Sequence, residues 1–241
     1  MYYGWRAKIG LILPATNTAT ERDFYMYAPE GVIALGQHIE FKAVTVDGLL
    51  KMGEHVMDAA KMLAFAGCDL LVYGCTTGSM VGGIGYDTNL IEEVKRETGV
   101  PMITTSVAVI DGLKTLGSKK ICLTTPYPDE VNQMEKKFLE DSGFEVVALK
   151  GIPCKDPVDA VTAISYYTYD KLHKATKEVF TPEADTVFMS CTGLGIMDYI
   201  DIAEKSFDRP VIASNYATVW KALKTLGIKY DGPYIGKLFT L

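Results

Sequence analysis

Hydrophobic and polar positions along this chain follow two rhythms that take turns. Short, nearly continuous runs of strand formers give way to longer stretches with apolar residues at helical spacing, and the exchange repeats to the end. The apolar runs predict strands at 8–13, 39–46, 69–74, 101–104, 120–124, 145–149, 186–190 and 211–213. Between them the helical spacing predicts helices at 17–25, 55–66, 90–98, 107–116, 130–142, 169–179, 199–206 and 218–226. Thr18 or Thr20 is available to cap the first helix, with Glu21 in its first turn, and Gly67, Gly99 and Gly117 stand where helices should stop. Strands alternating with helices predict an α/β fold with parallel sheets and right-handed crossovers.

The pattern also repeats at long range. Asp69-Leu70-Leu71-Val72-Tyr73-Gly74-Cys75-Thr76-Thr77-Gly78 is echoed by Asp185-Thr186-Val187-Phe188-Met189-Ser190-Cys191-Thr192-Gly193. Lys8 to Pro14 matches Lys120 to Pro126, and Pro101 to Ala108 matches Pro210 to Ala217. Both of the latter segments run on to Leu-Lys-Thr-Leu-Gly, at Leu113 to Gly117 and Leu223 to Gly227. Three matches in the same order mark a duplicated unit. The expected architecture is two pseudosymmetric lobes, 1–114 and 115–217, each a parallel sheet flanked by helices, with 218–241 packing back on the first lobe and the active site in the cleft between them.

Composition narrows the function. The 241 residues are 48% apolar and carry a formal charge of −6, with no basic stripe to bind nucleic acid. The apolar stretches fall short of the ~20 residues a membrane helix needs, and Met1-Tyr2-Tyr3-Gly4-Trp5-Arg6 does not read as a signal peptide. Five cysteines without a Cys-x-x-Cys spacing suit reduced thiols, so the expectation is a cytoplasmic protein that meets neither nucleic acid nor membrane.

Cys75 and Cys191 each fall just past the carboxyl end of a predicted strand, where open α/β sheets bind ligands. A buried cysteine is often only packing; two at equivalent places in two halves point to a pair facing one substrate. The Thr, Gly and Ser residues that follow offer backbone N–H groups to a thiolate or a carboxylate. Cys75 and Cys191 are therefore expected to react near neutral pH ahead of Cys68 and Cys122, which read as core; Cys154 reads as a lone loop thiol. His38, His55 and His173 are scattered, with no metal-ligand spacing. Gly82-Gly83-Ile84-Gly85 fits neither dinucleotide nor Walker spacing.

Four motifs carry a family resemblance: Leu13-Pro14-Ala15-Thr16-Asn17-Thr18 with Glu21, Cys75-Thr76-Thr77-Gly78-Ser79, Thr125-Pro126-Tyr127 with Asn132, and Ser190-Cys191-Thr192-Gly193. With them the chain resembles the Asp/Glu racemase superfamily, and within it the branch of maleate cis-trans isomerases and arylmalonate decarboxylases. Isomerases of that branch carry both cysteines; its decarboxylases keep only the second. The resemblance implies a cofactor-independent isomerase of a small dicarboxylate, in which Cys75 adds covalently and Cys191 transfers the proton. It places Pro14, Asn17, Thr76, Thr77, Tyr127, Thr192 and Gly193 at the substrate, requires no metal, and points to a homo-oligomer. It also implies an active-site Asn in an Asp-Asn segment of the second half; the matching stretch, Asp159-Ala160-Val161-Thr162-Ala163-Ile164, has none. Racemisation or decarboxylation through a shared enediolate, and non-catalytic binding of a small acid, are the alternative readings.

Overall fold

Each apolar run of the sequence becomes the centre of a sheet covered on both faces, which is why it lacks the alternation of a half-exposed strand. The computed structural model describes residues 2–241. The first half runs β1 (Ala7–Pro14), α1 (Ala19–Tyr27), β2 (Val32–Ile39), α2 (Val46–Gly53), α3 (Val56–Phe65), β3 (Leu70–Tyr73), α4 (Thr76–Met80), α5 (Tyr86–Thr98), β4 (Met102–Thr104) and α6 (Thr105–Leu116). The second runs β5 (Lys120–Thr125), α7 (Asp129–Asp141), β6 (Glu145–Gly151), α8 (Pro157–Ala163), α9 (Tyr169–Val179), β7 (Thr186–Met189), α10 (Ile200–Phe207), β8 (Val211–Ala213) and α11 (Ser214–Thr225). Two four-stranded parallel sheets result, ordered β2-β1-β3-β4 and β6-β5-β7-β8. The α/β fold expected from the sequence is the observed one.

The duplication is visible down to single hydrogen bonds. Asp69 accepts from the Lys8 amide at 2.8 Å and gives its own N–H to the Lys8 carbonyl at 2.8 Å. Asp185 does the same to Lys120, at 2.9 Å in each direction. At the other end of the same strand pairs, Gly74 N–H meets Ile12 O and Ser190 N–H meets Thr124 O, both at 2.9 Å. These bonds fix the register of each cysteine-bearing strand at both ends. Cys75 and Cys191 consequently leave their sheets at equivalent points.

Three differences from the sequence reading matter for the site. The second strand lies at Val32–Ile39, pairing residue for residue with β1, and not at 39–46. Phe41 and Val44 belong to an irregular segment after β2, which ends where Thr45 caps the next helix by accepting from Gly48 N at 3.0 Å. α1 starts at Ala19, and its first-turn amide at Thr20 is met by Asn17 Oδ1 at 3.1 Å; neither Thr18 nor Thr20 supplies the cap. α2, α4 and α8 fall on segments read as strand or loop; α4 has only five residues, too short for helical periodicity to show. Gly99 and Gly117 end their helices at φ 74° and 76°, as read from the sequence.

The lobes meet along α6 and α11, the last helix of each half, and α11 also touches β3 and β4 of the first sheet. Gly112 allows this approach: a methyl there would come within 2.8 Å of Ile212 Cδ1. Hydroxyls stitch the seam nearer the cysteines. Ser214 Oγ, at the start of α11, accepts from Thr76 Oγ1 at 2.8 Å and from the Cys191 amide at 3.0 Å. Thr192 Oγ1 donates to Gly74 O at 3.0 Å and accepts from Asn17 Nδ2 at 3.1 Å. Asn215 links Thr192 O and the buried Asp23, at 3.0 and 2.8 Å.

Removing Ser214 Oγ leaves a buried amide and a buried hydroxyl without their partner, at a cost of about 1–3 kcal/mol. Ser214→Ala is expected to lower the unfolding free energy measured by urea titration by that amount, as a lower midpoint at unchanged slope. A shift below about 0.5 kcal/mol, the level of an ordinary surface change, would show that the seam does not depend on this hydroxyl.

Candidate active site

A cavity opens where the carboxyl ends of the two sheets face each other. Pro14, Asn17, Cys75, Thr77, Tyr127, Cys191, Thr192 and Gly193 all line it, so the structure gathers these eight sequence-predicted residues. Its volume is about 40 Å³. At ~10–15 Å³ per ordered water this is room for a few waters, and thus for a small ligand held tightly. Thr76 differs from the reading: it is fully buried and its hydroxyl is spent on Ser214, so its side chain serves the seam and not the cavity.

The two sulfurs are held alike. Cys75 is the N-cap residue of α4, and its Sγ accepts from Gly78 N at 3.4 Å. Cys191 Sγ accepts from Gly193 N at 3.3 Å. A hydroxyl then favours each thiolate, Thr77 for Cys75 and Tyr127 for Cys191. Gly78 is a requirement of this packing, since a methyl there would lie 3.0 Å from Cys75 Sγ and 2.5 Å from Tyr73 Oη. The backbones differ. Cys75 is extended, at φ −142°, whereas Cys191 is held at φ 145°, a strained conformation for a residue with a Cβ. The Cys191 amide bond to Ser214 pins it there.

Burial decides the charge of the pair. Cys75 and Cys191 are 6% and 8% exposed. Loss of water pushes Cys75 up to about 11, against the opposing pull of Gly78 N–H and Thr77. It pushes Cys191 up to about 12, against Tyr127 and Gly193 N–H. This corrects the expectation that the loop donors would activate both thiols near neutral pH: in the closed site desolvation outweighs two hydrogen bonds, and both sulfurs rest as neutral thiols.

Asn17, expected at the substrate, donates from Nδ2 to Thr192 Oγ1 across the cleft and commits its Oδ1 to α1; the Thr192 backbone N–H is not used in that bond. Thr77, Tyr127 and the loop amides are the donors left nearest the thiols. The sequence reading missed the opposite wall. Phe41, Val44, Val161 and Ile164 line it, with Thr16 and Ser165 at its edge. α8 and the turn after it are latched to the first lobe by Thr16 Oγ1 donating to Val161 O at 2.6 Å and Ser165 Oγ to Thr16 O at 3.3 Å. The stretch 159–164, in which the resemblance implies an Asn, presents apolar Val161 and Ile164 to the cavity. Apolar residues in a loop beyond a strand's carboxyl end were the available signal. Among the described residues no group of three or more His, Cys, Asp or Glu is placed to hold a metal, and no helix is long and apolar enough to cross a membrane.

The family pattern described as arylmalonate decarboxylase matches residues 9–239. The chain belongs to the arylmalonate decarboxylase family. Within this family it is 29% identical over 238 residues to the arylmalonate decarboxylase of Bordetella bronchiseptica, covering 96% of this chain and 95% of that one. It is 28% identical over 247 residues to the maleate isomerase of Geobacillus stearothermophilus, covering 97% of both. Its fold is that of a solved mutant of Nocardia farcinica maleate cis-trans isomerase with a covalently bound succinylcysteine intermediate; the TM-score is 0.89 at 20% identity, over 97% of this chain and 98% of that one. These arylmalonate decarboxylase family relatives are enzymes.

For this member of the family, burial sets the order of thiol reactivity. Cys154 is half-buried and the other four cysteines are buried. Iodoacetamide at pH 7 is expected to label Cys154 first, with Cys75 and Cys191 accelerating as pH rises toward 11, because only the thiolate reacts. Peptide mapping over pH 7–10 measures this. Rapid labelling of Cys75 at pH 7 would mean that the local donors, and not burial, control the site.

Proposed function

We propose that the chain is a cis-trans isomerase of a small dicarboxylate, with conversion of a maleate-type cis-enedioate to the trans diacid as the first reaction to test. The observation that carries this reading is the pair of thiols lining one small cavity, each accepting a backbone N–H of its own. The maleate isomerase relatives and the succinylcysteine adduct of the Nocardia farcinica enzyme support it.

Cys75, once deprotonated, adds through sulfur to one alkene carbon, and the π pair moves onto the neighbouring carboxylate as an enediolate. Cys191 gives its S–H proton to the other carbon. A single bond now joins the two carbons and rotates. The Cys191 thiolate takes the proton back, the double bond re-forms and the carbon–sulfur bond breaks, so both cysteines are regenerated. This is covalent catalysis joined to general acid–base work. Thr77, Tyr127 and the loop amides stabilise the charge that develops on the enediolate. Deprotonating a thiol held near 11 costs about 5 kcal/mol at pH 7, so thiolate formation is a large part of the barrier.

A second reading has one observation of its own. The apolar wall of Phe41, Val44, Val161 and Ile164 suits an acid carrying a hydrocarbon substituent, whose racemisation or decarboxylation runs through the same enediolate. NMR of a panel of maleate, substituted maleates and arylmalonates in deuterated buffer separates the three chemistries by isomerisation, deuterium exchange and loss of carbon dioxide.

The variants assign the roles. Cys75→Ser is expected to abolish isomerisation and leave no adduct, since an alcohol is a poor nucleophile toward an alkene at neutral pH. Cys191→Ser should lose at least about 100-fold in turnover, the scale of a lost general acid, yet accumulate one diacid on Cys75 by mass spectrometry. An adduct on Cys191 instead would reverse the roles, and wild-type turnover in both variants would dismiss the mechanism.

A further inference from the structure

One buried ionisable group, on a helix that packs against the Cys75 helix, has no part in this chemistry. Glu135 lies midway along α7, on the face formed by Val131, Asn132, Phe138 and Leu139 that turns into the protein. An acid at such a position is anomalous, because a carboxyl is almost never fully buried without a partner. Glu135 is 0% exposed, and neither carboxyl oxygen has a hydrogen-bond partner. Ser190 Oγ, one residue before Cys191, is close to it but outside hydrogen-bond geometry, and is likewise buried and unpartnered.

The surroundings of Glu135 are those of the site. α7 packs across the seam on α4, the helix that Cys75 caps. One turn before Glu135, Asn132 fastens the loop that carries Tyr127, donating to Tyr127 O at 2.9 Å. The ionisable groups whose charge it influences are Cys75, Cys191 and Tyr127, all three of which line the cavity. Tyr73, also buried and unpartnered, stands beyond Cys75. On β6, which packs along α7, Glu145 and Lys150 are engaged in exposed ion pairs with Lys120 and Glu178. Among the described residues no lysine or arginine pairs with Glu135.

We propose that Glu135 is a positioning residue of the two-cysteine site: a buried carboxyl whose charge controls how readily Cys75 and Cys191 ionise. When neutral it leaves the thiols free of a neighbouring anion. When ionised it adds a negative charge to a cavity that must already hold a thiolate and an anionic substrate. Burial pushes Glu135 up to about 7, so the change of state falls within the physiological range. Its negative charge raises both thiols, so ionisation of Glu135 works against thiolate formation. The inference rests on the two-thiol site and not on the acid it turns over.

Alkylation needs no substrate and tests the idea separately from the isomerase reading. Iodoacetamide rates at each cysteine are to be mapped from pH 6 to pH 9.5 in the wild type, in Glu135→Gln, and in Glu135→Leu, which replaces the unpartnered carboxyl with an apolar side chain. At pH 9 both variants should label Cys75 and Cys191 about tenfold faster than the wild type, the size of one removed charge interaction. At pH 6, where Glu135 is neutral, the three proteins should agree, and Cys68 and Cys122 should be unchanged throughout. In the wild type alone, the Cys75 and Cys191 rates should climb more slowly than tenfold per pH unit as Glu135 ionises around pH 7. Identical rates at pH 9, a full tenfold rise per unit in the wild type, or an acceleration shared by Cys68 and Cys122 would each overturn the proposal.

Discussion

Two hydroxyls hold this molecule's chemistry in place. Ser214 Oγ joins Thr76 to the backbone of Cys191, and Thr192 Oγ1 joins Gly74 to Asn17. Three of these four contacts run from one lobe to the other, and the fourth, from Ser214 to the Cys191 amide, ties the cysteine to the seam. Sheets and helices place the two loops only approximately; these short bonds fix the thiols relative to each other. They also hold Cys191 at a φ that a residue with a Cβ rarely adopts, and such strain persists only where surrounding contacts over-determine it. The Asn17 and Thr76 side chains show the cost of this arrangement. Polar groups that a sequence reader assigns to substrate are occupied in making the site rigid.

The same closeness explains the charge of the site. Bringing the lobes together removes water, and removal of water penalises every anion in the cavity more than local N–H donors favour it. The thiols rest protonated, and so does Glu135 below about pH 7. In the proposed isomerisation the gain comes later in the reaction. A proton moved between sulfur and carbon in a dry cavity is not lost to solvent, and developing charge meets fixed dipoles in a low-dielectric setting.

What could be read from the sequence follows from how many residues vote for each feature. The duplicated strands and their terminal cysteines were legible because the apolar run, the leading aspartate and the trailing glycine agree twice over. The sheet register and the lobe seam make those agreements physical through the Asp69 and Asp185 bonds. α4 and α8 were not legible, because five- and seven-residue helices are held by capping and tertiary contact. Phe41 and Val44 were misplaced into a strand because alternation cannot tell a sheet face from a cavity wall. The thiol state was missed because burial by the opposite lobe is not local information. Glu135 was in view all along, as an acid on the apolar face of α7, but such an acid acquires meaning only once its neighbours are known.

Pseudosymmetry gives the site two thiols; its breakage gives them different surroundings. Gly74 is replaced by Ser190 at the equivalent strand end, adding a buried hydroxyl beside Glu135 on one side only. Cys75 leads into a helix whose first-turn amide meets its sulfur, while Cys191 leads into an irregular loop and stands next to the Tyr127 hydroxyl. In the proposed isomerisation, the sulfur at a helix cap, with its own amide donor, is the one that carries the covalent bond and leaves with its electron pair. The sulfur beside a phenol, held by a strained backbone, is the one that passes the proton. A duplicated fold could have supplied two interchangeable cysteines; these contacts make them different.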